Sequence, residues 1–132
     1  MGQRNMTTKL ILNREFASTL RDFAGLRWGS ITPTDIDGFL DFGNKAFVFI
    51  ESKHENGTLR GGQKLALERL VDSVSVPAIL IVAKHNAVAG DDIDLGANFV
   101  TQYRLKGKWQ KPKEQISVRS AIEAFLAFVQ LK

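Results

Sequence analysis

Two continuous apolar runs constrain the fold of this chain more than any other feature. Residues 46–50 read Ala-Phe-Val-Phe-Ile and residues 78–83 read Ala-Ile-Leu-Ile-Val-Ala. A strand covered on one face alternates apolar and polar side chains, whereas a strand covered on both faces is apolar throughout. Both runs therefore read as central strands. Between them, residues 62–74 carry apolar side chains at helical spacing. Leu65, Ala66, Leu70 and Val74 form a stripe that Leu67 and Val71 widen. A helix between two buried strands implies a right-handed crossover and parallel pairing. At 132 residues the chain is expected to form a single domain, 1–132, with its own core.

The other elements arrange themselves around this unit. Phe16, Leu20 and Phe23 recur at helical spacing over residues 13–26, with Asn13 as N-cap, Glu15 in the first turn and Gly25 near the end. Two arms, residues 35–42 and 45–53, flank Gly43-Asn44 and predict a β-hairpin whose second arm is the first apolar run. Residues 98–105 predict a fourth strand, and residues 107–112 a basic connector with Trp109. Ser117 caps a last helix whose apolar face is Ala121, Ile122, Phe125, Leu126 and Val129. The order α-β-β-α-β-β-α is that of an α/β protein, a mixed sheet flanked by helices on both faces.

Where the apolar arm ends, charge begins. Glu51-Ser52-Lys53 follows Ile50 directly. Strand side chains alternate faces, so Glu51 and Lys53 point the same way, about 6 to 7 Å apart along the strand. The acidic first arm brings Asp35, Asp37 and Asp41 to one face by the same alternation. Asp37, 14 positions before Glu51, suits two short arms and a turn best, with Asp35 as second choice. Two carboxylates beside an ammonium can hold a divalent cation and an attacking water. Mg²⁺ takes oxygen ligands, commonly one or two carboxylates with several waters, and Mn²⁺ can substitute. The Ser52 carbonyl faces the same space and offers a third oxygen. A metal placed there suits phosphodiester hydrolysis, because it neutralises phosphate charge and acidifies water, while Lys53 holds the water or the developing charge.

These residues resemble the PD-(D/E)XK nuclease superfamily, the restriction-endonuclease-like fold that includes small Holliday junction resolvases and phage and homing endonucleases. The resemblance rests on Pro33-Thr34-Asp35-Ile36-Asp37-Gly38, Phe49-Ile50-Glu51-Ser52-Lys53 and Gly62-Gln63, and it covers residues 13–84. It departs from the family pattern in that Pro33 does not directly precede the aspartate. The resemblance implies a Mg²⁺-dependent DNA endonuclease with a restriction-endonuclease-like mixed sheet. It implies metal binding by Asp37 and Glu51, a catalytic Lys53, support from Gln63, and a further acidic ligand in Glu15 of the first helix. By analogy it implies a homodimer or higher homo-oligomer acting on duplex or branched DNA, in a bacterial cytoplasm or as a phage product there.

The charge distribution bears on the partner. Residues 104–132 carry seven Lys/Arg against Glu114 and Glu123, while residues 1–103 carry 11 basic and 12 acidic side chains. Arg104, Lys106, Lys108, Trp109, Lys111 and Lys113 form the expected nucleic-acid contact segment, in which cations neutralise phosphates and the indole stacks on bases. Arg60, Lys64 and Arg69 add to this surface.

Other chemistries find little support. The absence of cysteine excludes disulfides, thiolate metal sites and a cysteine nucleophile. No nucleophile elbow surrounds Ser30, Ser52 or Ser73, and Gly57, Gly61 and Gly62 lack the P-loop ending. His54 and His85 are too isolated for a histidine-metal nuclease. Asp91, Asp92 and Asp94 read as a solvated acidic loop. The opening residues lack an apolar leader-type run, and no stretch nears the ~20 apolar residues of a membrane span, so a soluble intracellular protein is expected. Three other readings compete: a non-catalytic nucleic-acid-binding module on the same fold, a structure-specific resolvase or exonuclease of the same superfamily, and an interaction protein whose acidic arm is decoration.

Overall fold

The computed structural model describes residues 24–54, 59, 61–85 and 92–130. The chain divides into two compact units, residues 1–33 and residues 34–132. In the first, the described residues form a tight turn. Trp28 and Ile31 exchange two backbone hydrogen bonds of 3.0 Å around Gly29, whose φ is +65°. Trp28 is 65% exposed. Most of the helix expected over residues 13–26, including Glu15, lies outside the described residues; residues 24–26 form a turn and bend.

The second unit holds a five-stranded mixed sheet between two helices. Its elements are β1 (Gly38–Asp41), β2 (Phe47–His54), α1 (Gly61–Ser73), β3 (Ala78–His85), a 3₁₀ turn (Leu95–Ala97), β4 (Phe99–Leu105), β5 (Lys108–Gln110) and α2 (Val118–Phe128). Strand order follows the chain, and only β2 and β3 pair in parallel. That is the pair joined through α1, as the two apolar runs predict.

Alternation along β2 divides the core into two layers. Val48 and Ile50 face α2, packing with Ile79, Ile81, Ala83, Val100, Val118 and Phe125. Phe49 faces α1, packing with Leu67, Val71, Leu80 and Val82, with Phe47 at the border. Both faces are covered, which accounts for the unbroken apolar run. The α1 stripe is rotated from the expected one: Leu67 and Val71 are its buried residues, whereas Leu65 is 44% exposed.

The hairpin turn is set by backbone handedness. Gly43 and Asn44 have φ of 64° and 63°, the positive pair that mirror-image hairpin turns require. Asn44 tolerates this region better than most residues, and its N–H donates to Asp41 Oδ1 at 2.6 Å. At the other end of the chain, Ser117 Oγ accepts from Ser120 N–H at 3.1 Å, capping α2 as its sequence position predicts.

The segment expected as a basic connector contains a strand instead. Lys106 and Gly107, with φ of 54° and 76°, reverse the chain so that β5 pairs antiparallel with β4. No helix among the described residues is long and apolar enough to cross a membrane.

Candidate active site

β1 and β2 pair with Gly38 opposite Ile50. Continuing that ladder by one residue would place Asp37 opposite Glu51, but β1 stops at Gly38 and Asp37 contributes its side chain instead. Asp37 Oδ2 accepts from Ser52 N–H at 2.7 Å, and Asp37 N–H approaches Glu51 Oε1 at 3.4 Å. Both carboxylates are thus anchored at the point where β2 outruns its antiparallel neighbour. A strand residue turns its N–H and C=O toward the same neighbour, so the Ser52 carbonyl shares the edge on which Asp37 sits.

Glu51 is 3% exposed, the buried charged residue of the sheet. Burying a carboxylate is costly unless charge and hydrogen bonds compensate it. Compensation comes from both sides. Lys53 Nζ lies 3.1 Å from Glu51 Oε2, and Gln63 Nε2 donates to the same oxygen at 2.7 Å. Gln63 Oε1 accepts from Lys53 Nζ at 2.9 Å, closing a three-membered ring of contacts. Gln63 stands in the first turn of α1, whose positive end favours a nearby anion. The structure therefore brings together Asp37, Glu51, Ser52, Lys53 and Gln63 from an arm, a strand and a helix. Of the other aspartates considered, Asp41 is spent on the hairpin turn.

The donor set fits a hard divalent cation. Two carboxylates and a backbone carbonyl are all oxygen ligands, a number that suits Mg²⁺ with its retained waters. Among the described residues, no group of three or more His, Cys, Asp or Glu side chains is positioned as a metal cage.

One supporting residue has no counterpart in the sequence reading. Asn98 Nδ2 donates to Ser52 Oγ at 2.7 Å across 46 positions of chain. It tethers the start of β4 to the back of the site. Only the tertiary fold creates this contact, so no spacing in the sequence signals it. Asp94, read as part of a solvated loop, caps the 3₁₀ turn through Gly96 N–H at 3.0 Å. His54 and His85, register partners at the tips of β2 and β3, meet edge to face with ring centroids 5.6 Å apart.

The expected contact segment of residues 104–113 is not one surface. Arg104 donates to both oxygens of Asp72, at 2.9 and 2.7 Å, and lies 3.8 Å from Glu68. Trp109 donates its indole N–H to Glu68 and packs against the α1 layer of the core. Lys64 and Arg104 each lie over this ring, 5.7 and 5.8 Å from its centroid. The hydrogen bond from Arg104 holds the Asp72 carboxyl below its ordinary value. Burial opposes that shift and the Arg104 charge adds to it. The same hydrogen bond, against burial, raises Arg104.

Position separates the lysines as well. β4 runs antiparallel to β3, with Phe99 beside Lys84 and Leu105 beside Ile79. The β4–β5 hairpin therefore lies at the sheet end opposite Glu51. Lys108 sits there, as does Lys106, 5.1 Å over the Phe128 ring. Lys111 and Lys113 are exposed on the segment that returns toward Ser117, which bridges Phe99.

Comparison with protein-family models, curated proteins and solved structures gives no match for this chain.

Proposed function

We propose that this protein is a Mg²⁺-dependent DNA endonuclease with a restriction-endonuclease-like fold. The observation that carries this reading is the buried Glu51 carboxylate, held by Lys53 and Gln63 and met by Asp37 where β2 emerges from the sheet. A purely structural strand end has no reason to bury a carboxylate, because apolar residues of similar volume are often as stable as a buried ion pair. Ion pairs kept at such a cost cluster at functional sites.

Asp37 and Glu51, with the Ser52 carbonyl, would hold Mg²⁺ or Mn²⁺. When bound, the ion supplies positive charge to the scissile phosphate and acidity to a water. Gln63 bridges the Glu51 oxygen and the Lys53 ammonium through its two amide atoms. Lys53, 24% exposed at its side chain, presents N–H donors to the attacking water or to a phosphate oxygen.

The test is cleavage of supercoiled plasmid and of a four-way junction with Mg²⁺, using wild type and Glu51→Ala. Cleavage that disappears in the variant supports the assignment, and equal cleavage by both refutes it. A non-catalytic binding module would instead retain DNA binding and yield no Mg²⁺-dependent product from wild type.

A further inference from the structure

The parallel register of β2 and β3 places Lys84 directly beside Lys53. Strands in a sheet lie about 4.8 Å apart and in-register neighbours share a face, so both lysines project from the face that carries Glu51 and Gln63. Two ammonium groups side by side repel each other. The arrangement needs anions, and among the described residues only one of the two lysines has them. Lys53 is bound by Glu51 and Gln63. Lys84 is exposed, with no hydrogen-bond or ion-pair partner among the described residues.

The other cations of the sheet do not serve this end. Arg104 is committed to Asp72 and Glu68, while Lys106 and Lys108 lie at the opposite end of the strands. Among the described residues, Lys84 is therefore the cation placed next to the carboxylate centre with its charge still available.

We propose that Lys84 binds a phosphate adjacent to the scissile one, so that the site takes an internal linkage of a polynucleotide and not an isolated phosphate ester. This inference rests on the nuclease reading of Glu51 and Lys53. Lys53 serves the reacting phosphate, and Lys84, one strand over, holds the next phosphate along the backbone. The contact positions the substrate and reads no base.

The experiment compares wild type, Lys84→Ala, Lys84→Arg and Lys45→Ala. Lys45 is an exposed cation beside the hairpin turn, at the far end of β2, so its removal controls for net charge. Cleavage is measured on oligonucleotide duplexes with a single neutral methylphosphonate stepped along one strand. For wild type, neutralising one linkage flanking the cut lowers kcat/KM about ten-fold, and Lys84→Ala shows the same loss with the normal duplex. Lys84→Ala loses nothing further on the modified duplex, and Lys84→Arg restores discrimination. Lys84→Ala activity equal to that of Lys45→Ala, or a full further loss at every modified linkage, overturns the proposal.

If wild type cuts no substrate with Mg²⁺ or Mn²⁺, the nuclease reading fails separately. Binding of the unmodified duplex in EDTA then decides the Lys84 contact. Weaker binding by Lys84→Ala than by Lys45→Ala, with a salt slope lower by about one, supports it. Equal binding by the two variants overturns it.

Discussion

Gln63 Nε2 donates to Glu51 Oε2 at 2.7 Å, so the first turn of α1 fixes the orientation of a carboxylate at the end of β2. An outer residue that orients a ligand typically changes metal affinity or activity by about 10- to 100-fold when removed. Gln63→Ala is expected to raise the Mg²⁺ concentration needed for activity by about ten-fold or more, and to cost about 1–3 kcal/mol of stability because a buried carboxylate oxygen loses its donor. A titration of activity against Mg²⁺, set beside a thermal melt, checks both. A loss confined to stability would show Gln63 to be a packing residue only.

Lys53 and Glu51 differ in what their loss leaves behind. Lys53→Met strands a buried carboxylate with Gln63 as its remaining compensation, and the expected cost is about 2–3 kcal/mol. This falls below the usual range of about 3–5 kcal/mol because Lys53 keeps a quarter of its side chain in water. Adding Glu51→Gln removes the stranded charge and should recover most of that loss. Denaturant unfolding of the two single variants and the double variant measures it, and simple additivity would contradict the pairing.

The ion pair of Arg104 with Asp72 gives the fold a pH signature. The folded state lowers the Asp72 carboxyl below its unfolded value of about 3.9. A depressed acid contributes stability that is present above the unfolded value and fades as pH falls through the folded one. Wild type should therefore melt higher than Asp72→Asn at pH 7, with the gap closing below about pH 4 and shrinking in high salt. The gap stays modest because the Asp72 side chain is 36% exposed. Paired melts from pH 2 to 7 test the expected closure.

Two leucines on α1 separate its buried face from its exposed one. Leu67 is 2% exposed and packs with Phe49, Leu80 and Val82, whereas Leu65 is 44% exposed. Leu67→Ala should cost about 2–5 kcal/mol, and Leu65→Ala should fall within about 0.5 kcal/mol of wild type. Equal effects would place the helix face wrongly.

What the sequence discloses follows from what is local. The central strands are legible because covering both faces leaves no room for alternation, as Val48 toward α2 and Phe49 toward α1 illustrate. The hairpin is legible because Gly43-Asn44 is turn chemistry, and Glu51, Lys53 and Gln63 gather because strand alternation and a helix start put them within reach. β5 escapes notice because three residues with lysine on one end read as a solvated link. The Lys106-Gly107 reversal between Leu105 and Trp109 was its available signal. Arg104 and Trp109 look like free contact residues because their acceptors, Asp72 and Glu68, lie on a helix more than thirty residues away. The α1 stripe is rotated because helical periodicity allows several neighbouring faces, and the sheet chooses among them.

The turn at Gly43-Asn44 has a reach beyond its own end of the sheet. Each residue between it and Asp37 advances the arm by about 3.3 Å and flips the face. One residue added or removed there would carry the aspartate to the wrong side of the hairpin, with its chemistry intact and its address lost. The left-handed pair therefore works as a ruler, measuring from the far end of the strands the point at which the first carboxylate meets Glu51.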